Sequence, residues 1–161
     1  METRALGRTG LRVSRLAPLR WLGGLYVLVV QGTVVSAEHV SKDPERQPLN
    51  LKKFIREFDL PVIVGGCASY STALHLMRTG AVGVLVGVGP GAACTSREVL
   101  GIGMPQVTAT IETAHARNVY FERTGRYVPI ITDGGLRTGG DVSKAICAGA
   151  DAVMIGSPFA G

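Results

Sequence analysis

A chain of 161 residues that is 46% hydrophobic and 18% charged has enough apolar content for one packed domain and too little charge for a disordered one. Its net charge of +5 sits almost entirely in residues 1–20, where Arg4, Arg8, Arg12, Arg15 and Arg20 face only Glu2, so residues 21–161 are near neutral. That distribution, without interleaved aromatic residues, argues against a nucleic-acid surface, and no nucleic-acid partner is expected. Cys67, Cys94 and Cys147 are odd in number and widely spaced, no CxxC pair exists, and His39, His75 and His115 form no zinc pattern. Reduced thiols and a cytoplasmic location are the expectation, and no apolar run has the length of a membrane span.

Residues 1–22 are basic and weakly patterned and read as an extension outside the folded domain, which is expected over 23–161. WLGGLYVLVV followed by VVSA, behind the arginines, matches the apolar and small-residue regions of a signal peptide. LYVLVV (25–30) reads equally as a buried strand, and the strand is preferred for a reason given with the motifs below. A polar loop at 39–50 follows. LNLKKFIREF (49–58) has helical spacing with Lys52, Lys53 and Arg56 on a solvated face. PVIVG (61–65) is a strand, STALHLMRTG (71–80) a helix, GVLVGV (83–88) a strand, residues 105–125 the longest helix, VPIIT (128–132) a strand, GGDVSKAICAGA (139–150) a helix and DAVMIG (151–156) a last strand.

The strands are Val-, Ile- and Leu-rich without polar alternation, as in parallel α/β sheets covered on both faces. Regular β-α repetition leaves two architectures, an open doubly wound sheet and a (β/α)8 TIM barrel. Five strands are too few for a closed eight-stranded barrel, and the chain stops at SPFAG directly after the last one. The barrel reading therefore predicts a partial barrel of about five βα units.

Chemistry is expected at three strand ends, because both folds bind ligands there. GPGAACTS follows strand 83–88, DGGLRTGGD follows 128–132, and GSP follows 151–155. A cysteine carried on a glycine loop suits a nucleophile, and Cys94 is the candidate; backbone N–H groups, a helix N-terminus or a cation would favour its thiolate, and Arg97 lies near in sequence. An inert buried thiol is the alternative, and it fits Cys147 on the apolar side of its helix; Cys67 is intermediate. Asp133 suits a sugar diol, and the glycines beside it, with Gly156 and Ser157, suit a phosphate. The competing reading makes Asp133 a helix cap or turn residue.

Together GVGPGAACTSREVLGIGMPQVTA and VPIITDGGLRTGGDVSKAICAGADAVMIGSP resemble the IMP dehydrogenase/GMP reductase family, most nearly its bacterial IMP dehydrogenase-related branch. The likeness runs over about residues 25–160 and includes VVQGTVVSAEHVSK, hence the preference for a strand over a signal peptide. It implies a TIM barrel binding a purine nucleoside monophosphate, an NAD-dependent oxidation of IMP to XMP through a covalent cysteine intermediate in guanine nucleotide biosynthesis, and a homo-oligomer, tetrameric in intact relatives. By motif, Cys94 is the nucleophile and Ser96 lies near the reacting water. Asp133 holds the ribose, and Gly135, Gly156 and Ser157 contact phosphate. Gly66, Gly87 and Gly89 border the NAD cofactor, and carbonyls of Gly89, Gly91 and Cys94 hold a monovalent cation, potassium. Ala92 stands where the family usually has serine, Gly66 replaces an asparagine, and the end of strand 25–30 lacks an aspartate common in the family. The chain ends before the flap that activates water and before a later purine-gripping loop, and the first barrel strands are absent, so full turnover by this chain alone is not expected. The alternatives are a GMP reductase-like enzyme using NADPH and an inactive purine-nucleotide-binding module. METRALGRTGLRVSRL separately resembles the start of aldo-keto reductases over about 16 residues, which points to a fusion scar or a rearranged gene start, with a disordered or loosely attached arm as the alternative.

Overall fold

The computed structural model describes residues 3–5, 12–14, 28–31, 51–57 and 61–159. Within the expected extension, β1 (Thr3–Ala5) and β2 (Arg12–Ser14) pair antiparallel, so this segment carries more regular structure than its pattern indicated. The expected loop at 39–50, with His39, lies outside the described residues.

The domain is one parallel sheet of five strands, β3 (Leu28–Gln31), β4 (Val62–Cys67), β5 (Gly83–Val86), β6 (Ile130–Asp133) and β7 (Ala152–Met154), adjacent in that order. The helices between them are α1 (Leu51–Glu57), α2 (Tyr70–Arg78), α3 (Ser96–Leu100), α4 (Gln106–Thr124) and α5 (Gly139–Cys147). Strictly sequential order decides between the two architectures. A doubly wound sheet reverses its strand order at a switch point, and a barrel adds each strand beside the last. β3 pairs with β4 from Leu28↔Val62 to Gln31↔Gly65, which places the 28–31 stretch in the sheet, as the strand reading requires.

Burial separates the two sheet faces. Val62, Val64, Val84, Val86 and Ile130 pack with Leu76 and Met77 of α2 and Ala109 and Ala116 of α4 in one apolar core. Each of the Val, Ile, Leu and Met side chains contributes about 1.5–3 kcal/mol on burial. Leu85, alternate to Val84 and Val86, is also buried, on the other face. Gly65 lies opposite it, and a Cβ there would meet the Leu85 Cβ and carbonyl oxygen at 2.5 Å. A smaller cluster of Leu136, Ala145 and Ala150 seats α5 against Val153 of β7.

At the N-terminal ends of the strands, Arg117 of α4 is buried. It donates to Asp151 Oδ2 (2.7 Å) and the Gly149 carbonyl (2.8 Å), and its guanidinium lies 5.1 Å from the Tyr127 ring centroid. Asp151 also accepts from Tyr127 Oη (2.5 Å) and the Ile130 N–H (2.8 Å), joining α4, β6 and β7. Such a cluster on the end away from the loops serves the fold and leaves the opposite end to chemistry.

Two expectations are corrected. Helix 139–150 ends at Cys147, and Cys147 is exposed instead of buried, because Ala145 and Leu136 fill the contact with the sheet. α3 was not anticipated; its five residues form inside the cysteine loop and close on Gly101 in the left-handed conformation.

Candidate active site

β5 ends at Val86 and the chain enters the cysteine loop through Gly87, whose N–H donates to the Cys67 carbonyl (2.7 Å). Gly87 has φ +133°, and a Cβ there would meet the Asp133 carbonyl oxygen at 2.6 Å and Gln106 Nε2 at 2.7 Å. Glycine is required here by both conformation and space. Gln106, the first residue of α4, donates from Nε2 to the Val86 carbonyl (2.7 Å) and the Asp133 carbonyl (3.0 Å), tying the ends of β5 and β6 together. Its Oε1 is buried and unpartnered among the described residues. Gln106 was missed in the sequence because its partners lie 20 and 27 residues away.

The loop itself is clipped by Arg97. Its Nε donates to the Val88 carbonyl (3.1 Å) and its Nη2 to the Met104 carbonyl (2.7 Å), which brings the two ends of the 88–104 excursion together. Arg97, the cation near Cys94 in sequence, thus commits its guanidinium to the loop. Cys94 is exposed, and its thiol donates to Ser96 Oγ at 3.3 Å. When the thiol ionises, the Ser96 hydroxyl becomes the donor and the Ser96 N–H a second one. These bonds, with a smaller Coulombic contribution from Arg97, hold Cys94 below the usual thiol range. Cys67 is the opposite case, a core thiol pushed up to about 12 by burial. Cys94 N donates to the Gly91 carbonyl (3.0 Å), so one lone pair of that carbonyl is engaged in the turn and the other stays available.

Asp133 is the last residue of β6, half-buried, and burial pushes its carboxyl up. Helix capping does not account for it. Thr138 caps α5, accepting from the Asp141 N–H (3.3 Å), and Asp141 Oδ2 accepts in return from the Thr138 N–H (3.1 Å). Gly134 and Gly135 both have positive φ and pack against Pro90 and Gly91, bringing the DGG loop onto the cysteine loop.

A cleft of about 150 Å³ lies where the loops meet, lined by Gly91, Asp133, Gly135, Arg137, Gly156 and Ser157, among others. The structure thus gathers Asp133, Gly135, Gly156 and Ser157 at one place with the start of the cysteine loop. Cys94 and Ser96 are not in its wall; Cys94 follows the lining residue Ala92 by two residues, within about 7 Å along the chain. Beyond its chain neighbours, Gly156 has no atom of the described residues within 4 Å of where a Cβ would stand, and no positive φ, so neither packing among those residues nor backbone conformation explains glycine there. Arg137 is a second residue that sequence reasoning missed; it stands in the DGGLRTGGD stretch but was passed over beside the glycines. Gly66 and Gly87 are explained by close backbone packing, since a Cβ on Gly66 would strike the Gly87 carbonyl oxygen, and Gly89 packs against Ser96 and Arg97. These glycines are taken up by the fold at the strand ends. No helix among the described residues is long and apolar enough to cross a membrane.

Comparison with known proteins gives this geometry a context. A family model described as the IMP dehydrogenase / GMP reductase domain matches residues 25–161. An uncharacterized oxidoreductase of Mycolicibacterium smegmatis is 50% identical over 94% of this chain and 42% of its own length. The inosine-5'-monophosphate dehydrogenase of Pasteurella multocida is 48% identical over 64% of this chain and 20% of its own length. The crystal structure of an IMP dehydrogenase/GMP reductase-like protein from Corynebacterium glutamicum superposes with a TM-score of 0.70 at 51% identity, over 82% of this chain and 33% of that one. The chain therefore spans well under half the length of these relatives.

Proposed function

The chain belongs to the IMP dehydrogenase/GMP reductase family of oxidoreductases, and from that premise we propose that it carries the nucleotide-binding and nucleophile-bearing part of an NAD-dependent IMP oxidation. The observation that carries this reading is the convergence of the DGG, GSP and cysteine loops on one cleft. A purine nucleoside monophosphate fits its chemistry. The Asp133 carboxylate accepts hydrogen bonds from the ribose hydroxyls, while Gly135, Gly156 and Ser157 leave room and donors for the phosphate.

In this mechanism the Cys94 thiolate adds to C2 of IMP, forming a C–S bond and making that carbon tetrahedral. Gly66, Gly87 and Gly89 would border a bound NAD, which would supply the acceptor for the hydride of C2. Water then attacks C2, aided by the Ser96 hydroxyl, and the C–S bond breaks to release XMP and the thiol. The carbonyls of Gly89, Gly91 and Cys94 would hold potassium and fix the loop, the free lone pair of Gly91 being suited to it. Residues 23–161 act as the barrel portion, 1–22 as an appendage, and the working state is a cytoplasmic homo-oligomer.

Incubation of the chain with IMP and NAD, followed by denaturation and peptide mass spectrometry, tests the reading. An adduct of purine nucleotide mass on the Cys94 peptide, lost in Cys94→Ala, is expected. Nucleotide binding without an adduct would reduce the assignment to a binding module, and an adduct formed from GMP with NADPH instead would assign GMP reductase chemistry.

A further inference from the structure

The cysteine loop leaves the sheet after β5, returns at α4 and carries α3 between them. Packing does not hold α3 in place. It has five residues, little more than one turn, and none of them is buried. Among the described residues its neighbouring backbone bonds also stay inside the loop, from Cys94 N–H to the Gly91 carbonyl (3.0 Å) and from Gly101 N–H to the Arg97 carbonyl (3.1 Å). Gly134 and Gly135 pack on Pro90 and Gly91 at the start of the loop, not on α3. What ties α3 to both ends of the loop is the Arg97 side chain, through the Val88 carbonyl (3.1 Å) and the Met104 carbonyl (2.7 Å). The backbone is shaped around that side chain. A Cβ on Gly103 would meet Arg97 Nε at 2.9 Å and Cγ at 3.0 Å, and one on Gly89 would meet Arg97 Cγ at 3.1 Å. Ser96, beside Arg97 in the same turn, accepts from the Cys94 thiol (3.3 Å). The clasp and the partner of the thiol therefore move as one piece.

We propose that Arg97 is a positioning residue: by bonding the Val88 and Met104 carbonyls at once it fixes the first turn of α3 and so holds Cys94 beside the cleft, ready for covalent addition. The inference rests on the nucleotide reading above for the reaction that Cys94 performs. In this role Arg97 touches neither the nucleotide nor the reacting carbon. Addition needs the sulfur on its line of attack, and a misplacement of about 1 Å can cost roughly 100-fold in rate. A planar guanidinium suits the task, because its donors are fixed relative to one another and so fix the two carbonyls they join. Nucleotide binding at Asp133, Gly135, Gly156 and Ser157 does not pass through the clasp.

Arg97→Met, which keeps the aliphatic stem between Gly89 and Gly103 and removes both donors, tests this in the full chain. Three quantities are read: IMP affinity by calorimetry, the rate of Cys94 adduct formation with IMP and NAD by peptide mass spectrometry, and hydrogen exchange of the 88–104 backbone. Adduct formation at saturating IMP is expected to slow by roughly tenfold or more, with IMP affinity kept within about twofold. Exchange should quicken over 88–104 and stay unchanged elsewhere, which also shows that the fold is kept. Gly103→Ala leaves the Arg97 charge in place but presses a Cβ on its side chain, and should shift rate and exchange in the same directions. Glu98→Gln, an exposed change on the same helix, should shift neither. If exchange rises everywhere in Arg97→Met, Gly103→Ala alone carries the test. Unchanged exchange or an unchanged adduct rate would overturn the inference alone, and so would a loss of IMP affinity as large as the loss of rate. A slower adduct in Arg97→Met with Gly103→Ala unaltered would assign the effect to charge and overturn the clasp. No adduct from the unaltered chain would remove the covalent IMP reading. The clasp then stands only if Gly103→Ala shifts both the exchange and the pH midpoint of Cys94 alkylation by iodoacetamide, and falls otherwise.

Discussion

The three cysteines differ in their surroundings: Cys67 is buried, and Cys94 and Cys147 are exposed. Cys67 is closed in the core and pushed up to about 12 by desolvation, whereas Cys94 is exposed and held low, first by the Ser96 hydroxyl and then by the Ser96 N–H. Alkylation by iodoacetamide near neutral pH, followed by peptide mass spectrometry, should modify Cys94 and leave Cys67 untouched until the chain unfolds. Ser96→Ala should raise the Cys94 titration and slow its alkylation; an unchanged rate would show that Ser96 does not tune the thiol. The glycine loop singles Cys94 out in the sequence, and its thiol is exposed there, while Gly87 and Gly89 of the same loop serve close packing against Asp133, Gln106, Ser96 and Arg97. Cys147 was misread because helical periodicity says which side of a helix is apolar but not how far it reaches the sheet. Gln106 gave no sequence signal, since its two acceptors are backbone carbonyls brought near only by the pairing of β5 with β6.

At the level of elements, the strands and long helices were readable because unbroken Val and Ile runs and helical spacing differ in period. Their ends were less so: β4 extends to Cys67 and β6 to Asp133, beyond the expected limits. The α5 cap was present in the sequence as Thr138-x-x-Asp141, a capping-box spacing that would have released Asp133 from the capping role. Thr138→Ala should cost about 1 kcal/mol in denaturant unfolding. Asp141 is pulled down to about 2, first by the Arg137 N–H and then by Thr138. Its folded value thus lies below the unfolded value of about 3.9. The stabilisation is complete above about pH 4 and is lost as pH falls toward 2. The melting difference between the unaltered chain and Asp141→Asn should therefore be largest near neutral pH and shrink over that window. A constant difference down to pH 2 would mean the carboxylate is not the stabilising species.

For the whole molecule, the βα period alone fits either a doubly wound sheet or a barrel, because both repeat the same local unit. The distinction lies in long-range order, and the unbroken succession from β3 to β7 supplies it. That succession also leaves the outer edge of β7 without a partner strand among the described residues. A free parallel edge presents a row of N–H and C=O groups that another chain can pair with. Nearby apolar surface adds to the tendency: Phe159 is 82% exposed, and on the cysteine-loop side Val99 is 76% exposed. The isolated 161-residue chain is expected to associate reversibly, its average mass in sedimentation velocity rising as concentration goes from micromolar to hundred-micromolar. Ala152→Lys places a charge on an exposed position of that edge strand and should shift the population toward single chains with the melting transition unchanged. A single species of one-chain mass across the whole range would show that the β7 edge is protected in solution. Association unaffected by Ala152→Lys would move the contact to the apolar loop surface around Val99.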